Sequence, residues 1–197
     1  MEAQNCESCG KQVAGFESVS LGQEGKYRTL CYVCFNRWAA ERMGLRFEHP
    51  DFEPVTLRDS RGSSHEFHFR VSLAATGLLI EALEVREDRP DGYEFAVLGR
   101  HEEDPLLLFG RLYEKMRLRL GQHHLEQQDD GLRIGDEQVV RGMITGGGEP
   151  QRGTGAPAPA LVIDGTCITW QEFGELVAPF EGFQFKLEIR DRTHDIG

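Results

Sequence analysis

Two Cys-x-x-Cys pairs near the N-terminus, Cys6/Cys9 and Cys31/Cys34, constrain this chain more than any other feature. Each pair sets two thiolates close enough to grip one metal ion. The stretch between Cys9 and Cys31 is long enough for a hairpin that brings the pairs together. Four sulfur ligands with no open position imply one structural Zn2+ at Cys6, Cys9, Cys31 and Cys34, an ion that shapes a fold and performs no chemistry. The same sulfur geometry can hold iron for electron transfer. A thiol redox pair is the other alternative, opposed by the lack of a βαβ pattern around either pair.

Metal rather than disulfide chemistry fits a reducing compartment. Met1-Glu2-Ala3-Gln4-Asn5 has neither the basic start nor the apolar stretch of a secretory signal, so the expected location is the cytoplasm. No apolar run reaches the ~20 residues needed to span a bilayer, and no membrane partner is expected. Net charge is −11, and residues 1–49 hold six Lys/Arg against six Asp/Glu, so the rest of the chain carries the whole excess. That distribution disfavours non-specific binding to nucleic acid, which requires a strong positive surplus.

Residues 1–49 read as a zinc module. Cys6-Glu7-Ser8-Cys9-Gly10 makes a knuckle, and Phe16–Leu21 and Tyr27–Cys31 flank a turn at Gly22-Gln23-Glu24-Gly25. A helix then runs from Cys34 to Met43, closed by Gly44, with Phe35, Trp38, Ala39 and Met43 near one face. Knuckle, hairpin and a helix bearing the second pair resemble the treble-clef class of zinc fingers. That resemblance implies a metal and a scaffold and says little about function, because the class serves many roles.

Residues 50–145 read as an α+β domain. Val55–Arg58, Ser64–Val71, Leu78–Val85 and Tyr93–Leu98 suit an antiparallel meander, with a strong turn signal at Asp88–Gly92. Asp104-Pro105 opens a helix expected over residues 105–126. Its Phe109, Leu112, Tyr113, Met116 and Leu120 recur at three- and four-residue spacing and form a stripe to cover the sheet. Arg111, Lys115 and Arg119 form a basic line that reads as a solvated face or a dock for an acidic partner. His65 and His68 sit on opposite faces of a strand, and His123-His124 end the helix, so neither pair reads as a shared metal site.

Residues 146–160, rich in Gly, Pro and Ala, read as a linker. Residues 161–197 read as a ββαβ module docking on the middle domain or on a second subunit. Leu161–Ile163 and Thr166–Ile168 flank Asp164-Gly165, a type I′ turn. Thr169 and Glu172 form a capping box with an Ile168–Phe173 staple, and Pro179 ends the helix. Phe183, Phe185, Leu187 and Ile189 alternate with Gln184, Lys186, Glu188 and Arg190 as a half-buried strand. Trp170, Phe173, Phe180, Phe183 and Phe185 are expected in the core.

The element order, together with Ile163-Asp164-Gly165, Thr169-Trp170-Gln171-Glu172-Phe173 and Phe180-Glu181-Gly182-Phe183-Gln184-Phe185-Lys186-Leu187-Glu188-Ile189, is similar to an uncharacterised bacterial zinc-finger family. The resemblance implies a bacterial cytosolic protein with zinc and carries over no catalytic residues. No phosphate loop, nucleophile elbow or metalloprotease signature is present. The expected function is therefore a non-catalytic adaptor or accessory subunit that contacts another protein. One alternative is a nucleic-acid-binding regulator using Arg28, Arg37 and Arg42. The other is an enzyme with its site between the sheet and the C-terminal module.

Overall fold

A computed structural model of the chain describes residues 3–23, 25–86, 92–129, 131–146 and 158–194. The turn expected at residues 88–92 and the linker expected over 146–160 lie largely outside the described residues. The fold is α+β, with mostly antiparallel sheets and three α-helices among the described residues. It forms two compact units, residues 1–53, 69–82 and 96–112 in the first and 54–68, 83–95 and 113–197 in the second.

The first unit begins with β1 (Ala3–Asn5) and β2 (Gln12–Ala14), an antiparallel pair whose connection carries Cys6 and Cys9. Strands β3 (Ser18–Gln23) and β4 (Lys26–Cys31) follow as a hairpin. Its register pairs Gly22 with Tyr27 and Gln23 with Lys26, so Gly22 stays in the strand. Helix α1 (Tyr32–Met43) starts two residues earlier than the second cysteine pair suggested, and it stops at Gly44. Gly44 adopts the left-handed conformation (φ 67°) that closes a helix, its amide donating to the Ala40 carbonyl. The small interior holds Cys6, Val13, Leu30, Cys31 and Cys34, with Leu21 and Phe35 packed beside them.

The four strands β5 (Val55–Arg58), β6 (Ser64–Ala74), β7 (Gly77–Glu84) and β8 (Glu94–Gly99) form one sheet in that order, the meander expected from the alternation. Helix α2 (Pro105–Leu120) follows, with Asp104 Oδ1 accepting from the Leu106 amide as its cap. Leu108, Leu112, Met116 and Leu120 are fully buried along its length. The helix ends at Leu120 rather than at 126. Gly121 interrupts it, and Leu125 instead opens a strand whose backbone bonds are satisfied by a hairpin. In the first unit Phe52 stacks on Phe109 at 4.4 Å and Phe69 meets the same ring edge-on at 4.9 Å.

The second unit adds β9 (Leu125–Gln128) paired with β10 (Gly131–Ile134), then β11 (Gly142–Thr145), β12 (Ala160–Ile163) and β13 (Thr166–Thr169) in a three-stranded sheet of that order. Helix α3 (Trp170–Val177) is capped as its sequence dictates: Thr169 Oγ1 accepts from the Glu172 amide, and the Glu172 carboxylate accepts from the Thr169 amide. A 3-10 turn at Ala178–Phe180 holds Pro179. Leu125, Leu161, Ile163, Ile168 and Leu176 form the core here, with Phe173 against it.

The expected closing strand of a ββαβ module does not form among the described residues. Residues 183–190 run without strand pairing among the described residues, and all are exposed. Trp170, Phe183 and Phe185 are 52, 64 and 91% exposed, so they are not core. Alternation specifies that one face of such a segment prefers cover, and it cannot supply an edge to pair with.

Candidate functional site

The knuckle is built by backbone bonds around the first cysteine pair. The Gly10 amide donates to the Cys6 carbonyl at 2.8 Å, and the Cys6 amide to the Lys11 carbonyl at 2.9 Å. Across the hairpin, the Glu7 amide donates to the Thr29 carbonyl at 2.8 Å and the Thr29 amide to Glu7 Oε1 at 2.7 Å, locking knuckle to β4. The end of β4 and the first turn of α1 then supply Cys31 and Cys34. All four sulfurs lie within 4.8 Å of one another, with Cys9 and Cys31 at 3.9 Å. Tetrahedral coordination with Zn–S bonds of ~2.3 Å spaces sulfurs by about 3.8 Å. This donor set can hold a metal ion, and the spacing predicted from the sequence delivers all four residues to one point.

Electrostatics divide the four thiols. Burial pushes the Cys6 thiol up, but the amides of Cys31, Cys9 and Ser8 directed at its sulfur outweigh that and hold it at about 6. Burial, the largest cause, raises Cys31 and lifts Cys34 to about 12, and the sulfurs of Cys6 and Cys9 push both further up. A cation placed among them would relieve that repulsion, as metal ligation requires thiolates.

Beside this cage Asn36 is wholly buried on α1. Its Nδ2 donates to the Val71 carbonyl at 2.7 Å and lies 2.7 Å from His49 Nδ1, while its Oδ1 accepts from the Leu73 amide at 2.8 Å. Strand β5 pairs with β6 only as far as Phe67. Beyond that point this one side chain takes the place of a strand at two ladder groups of β6, the Val71 carbonyl and the Leu73 amide. Burial lowers the basicity of His49, which keeps the imidazole neutral and able to accept. Arg28 and Arg37 line one cleft of about 180 Å³ with Trp38 and Glu41, and Arg42 stacks over Trp38 at 4.7 Å from the ring centre.

A second constellation lies wholly within the second unit. A cleft of about 500 Å³ is lined by Asp59, His65, Glu84, Arg86, His123 and Asp164 among others. Acids and bases alternate along it. Asp164 Oδ2 is 3.8 Å from His123 Nδ1, and His123 Nε2 is 3.6 Å from Asp59 Oδ2. Asp59 Oδ2 is 3.3 Å from His65 Nε2, and His65 Nδ1 is 2.7 Å from Glu84 Oε1, which also accepts from Arg86 Nε at 2.6 Å. The bond to Glu84, and then that to Asp59, raise the pKa of His65 against its burial. Burial alone would raise both carboxylates. Asp59 is held low by the Ser63 amide and His65, and Glu84 by His65, the Tyr93 amide and Arg86. Half-buried Tyr93 is held protonated by desolvation and by the nearby carboxylates.

The same network clasps the β12–β13 turn. Asp164 (φ 50°) and Gly165 (φ 68°) have the left-handed conformations of a type I′ turn. Asp164 Oδ2 accepts from the amides of His124 and Leu125 at 2.7 and 2.8 Å, and Arg86 Nη1 donates to the Gly165 carbonyl at 2.9 Å. Arg61 Nη2 donates to the Leu125 carbonyl. The histidines at 123 and 124 thus lie beyond the helix rather than at its end, with His124 buried. His68 stays apart, paired with Glu66 at 2.9 Å. The available signal for His65 was parity, since it shares the inward face of β6 with Phe67 and Val71. Asn36 was signalled only by its place one turn before buried Ala39 and Ala40.

The basic line on α2 is split in use. Arg111 pairs with Glu103 at 2.7 Å, and Lys115 donates to the carbonyls of Arg192 and His194 at 2.9 and 3.3 Å. No helix among the described residues is long and apolar enough to cross a membrane.

Three described families match successive parts of the chain, each a domain of unknown function: DUF7685 over residues 5–46, DUF7686 over 48–121 and DUF7713 over 124–194. No curated protein and no solved structure matches the chain.

Proposed function

We propose that Cys6, Cys9, Cys31 and Cys34 bind one structural zinc in a treble-clef finger, and that the protein is a bacterial cytoplasmic adaptor or accessory subunit acting through protein contacts. The carrying observation is a closed sulfur cage with Cys6, Cys31 and Cys34 buried, which leaves a bound ion no open position for substrate. The apolar segment at 183–189, exposed and without a strand partner among the described residues, supports contact with another protein. On this reading the chain is organised as a finger (1–49), an α+β domain (50–145), a linker (146–160) and a C-terminal module (161–197).

The purified protein should hold one equivalent of zinc by elemental analysis. Cys31→Ser should release it and unfold the finger, because a small zinc module draws much of its folding free energy from the ion. Retention of a full equivalent in Cys31→Ser would overturn the four-sulfur assignment. Co-purification from the native host with mass spectrometry tests the adaptor role, and turnover of a small substrate with no protein partner recovered would refute it. A second reading, an enzyme or small-molecule binder, is favoured by the polar cleft around His65 and His123, which is the kind of lining that catalytic groups require. The nucleic-acid reading draws support from Arg28 and Arg37 beside Trp38, against the zero net charge of residues 1–49.

A further inference from the structure

The segment Phe183–Arg190 has the alternating pattern of a strand and no neighbouring strand among the described residues. Phe183, Phe185, Leu187 and Ile189 lie 64, 91, 68 and 67% exposed on alternate positions. Both ends are tied down. The Phe183 amide donates to the Phe180 carbonyl at 2.9 Å, and Phe180 and Phe183 meet ring to ring at 5.7 Å. At the far end Arg192 pairs with Glu94 at 3.1 Å, and Lys115 holds the carbonyls of Arg192 and His194. A segment held at both ends, with no strand pairing among the described residues, offers a template for strand addition.

We propose that this segment pairs antiparallel with the same segment of a second copy, about a two-fold axis at Leu187. The choice of occupant follows from register. In an antiparallel pair, directly opposed residues share a face, so any register that opposes odd with even positions sets apolar against charged residues on both faces. Of the registers that keep the faces separate, centring on Lys186 sets Lys186 against itself, and centring on Glu188 sets Glu188 against itself. Like charges directly opposite destabilise a ladder. Centring on Leu187 instead opposes Lys186 with the other copy's Glu188, twice, and Gln184 with Arg190. On the apolar face Leu187 meets Leu187 and Phe185 meets Ile189, again twice. At the Leu187 register the segment is therefore complementary to itself in charge and in apolar pattern, as an isologous two-fold contact requires.

Within one chain Glu188 already pairs with Lys186 at 3.0 Å and with Arg190. These pairs are exposed and contribute little to the fold, so charge changes here leave the monomer folded. This inference rests on the interaction reading given above and names its partner. A two-stranded ribbon is marginal alone, so the dimer is concentration-dependent.

Sedimentation velocity over about two decades of concentration should carry the zinc-loaded protein from 22.3 kDa toward twice that mass. Lys186→Glu and Glu188→Lys should each weaken association about tenfold or more, since the two-fold repeats every clash, and the double swap should restore it to within about threefold. Circular dichroism and zinc content, unchanged in all three, show that folding is not the cause. A wild-type protein monomeric throughout, single swaps without effect, or a double swap as weak as the singles would each overturn the proposal. If the wild type is monomeric while Leu187→Lys abolishes recovery of a host partner, the self-pairing falls and the interaction reading stands.

Discussion

His65 sits between two carboxylates inside the second unit, and replacing it by leucine tests whether that arrangement is a stabilising ion cluster. The substitution removes a 2.7 Å bond to Glu84 and a 3.3 Å bond to Asp59. Neither acid is stranded. Glu84 keeps Arg86 at 2.6 Å and the Tyr93 amide at 2.9 Å, and Asp59 keeps the amides of Arg61 and Ser63 at 2.9 and 2.8 Å. Hydrogen bonds to charged groups contribute about 1.5–3 kcal/mol each, and the longer one belongs at the low end. The loss should therefore be about 3 kcal/mol when the ring is charged, near the lower limit of ~3–5 kcal/mol for breaking a buried pair outright.

The pH dependence makes the test sharp. Because the folded-state pKa of His65 is raised, its contribution is fully present below the unfolded value of about 6.5 and is lost as pH rises through the folded value. Asp59 and Glu84 are lowered, so their contribution is present above an unfolded value of about 4 and lost as pH falls through the folded ones. All three are charged together between those limits. At alkaline pH the neutral ring has one proton. It can donate to Glu84 or to Asp59, and its lone pair then faces the other oxygen. Urea unfolding of zinc-loaded protein near pH 6 should show a difference of about 3 kcal/mol between wild type and His65→Leu, shrinking to about 1 kcal/mol near pH 9. Equal differences at the two pH values, or a variant as stable as wild type at pH 6, would refute the assignment of a charged His65.

Asn36→Leu leaves the Val71 carbonyl and Leu73 amide buried without partners, at about 1–3 kcal/mol each. Calorimetry should show a melting temperature lower by about 10 °C, at ~2–4 °C per kcal/mol for a chain of this size, with zinc content unchanged. Gly165→Ala puts a Cβ into left-handed backbone and 2.7 Å from a Tyr93 ring carbon. It should cost about 2–4 kcal/mol in chemical denaturation, while Gly174→Ala, where nothing lies within 4 Å, should be neutral or stabilising.

What was legible in the sequence is what local rules determine. The metal-ligand spacing, the four-strand meander, the stripe on α2 and the Asp164-Gly165 turn with its Thr169–Glu172 box are each marked by a residue pattern that short stretches of chain carry. Strands β9, β10 and β11 were missed although they are no shorter than β5, β12 and β13: β9 carries a single apolar residue and a glycine opens both β10 and β11, so their strand signal is weak. His65 and Asn36 were missed for a different reason. A polar residue at an inward position reads as an interruption until its partners are known, and those partners are 19 residues away for His65–Glu84 and 35 for Asn36–Val71. The segment at 183–190 inverts the case, since its pattern is clear and the missing quantity is a neighbour.

These observations share a cause in the size of the pieces. The cluster around the sulfurs holds five buried residues among those described, three of them cysteine, which is too little apolar surface to order about fifty residues unaided. A metal ion at the four sulfurs would supply the deficit, and Asn36 orients the finger's helix against β6 through directional bonds that apolar packing alone would leave free to slide. The second unit meets the same shortage differently. Its C-terminal core is small, and the turn at Asp164-Gly165 is fixed by charge-assisted bonds from Arg86 and by two amides on Asp164. A module already held this way does not need the last strand for its own stability. That leaves Phe183–Arg190 available to pair outside the chain, and makes the exposed apolar alternation consistent with a stable monomer.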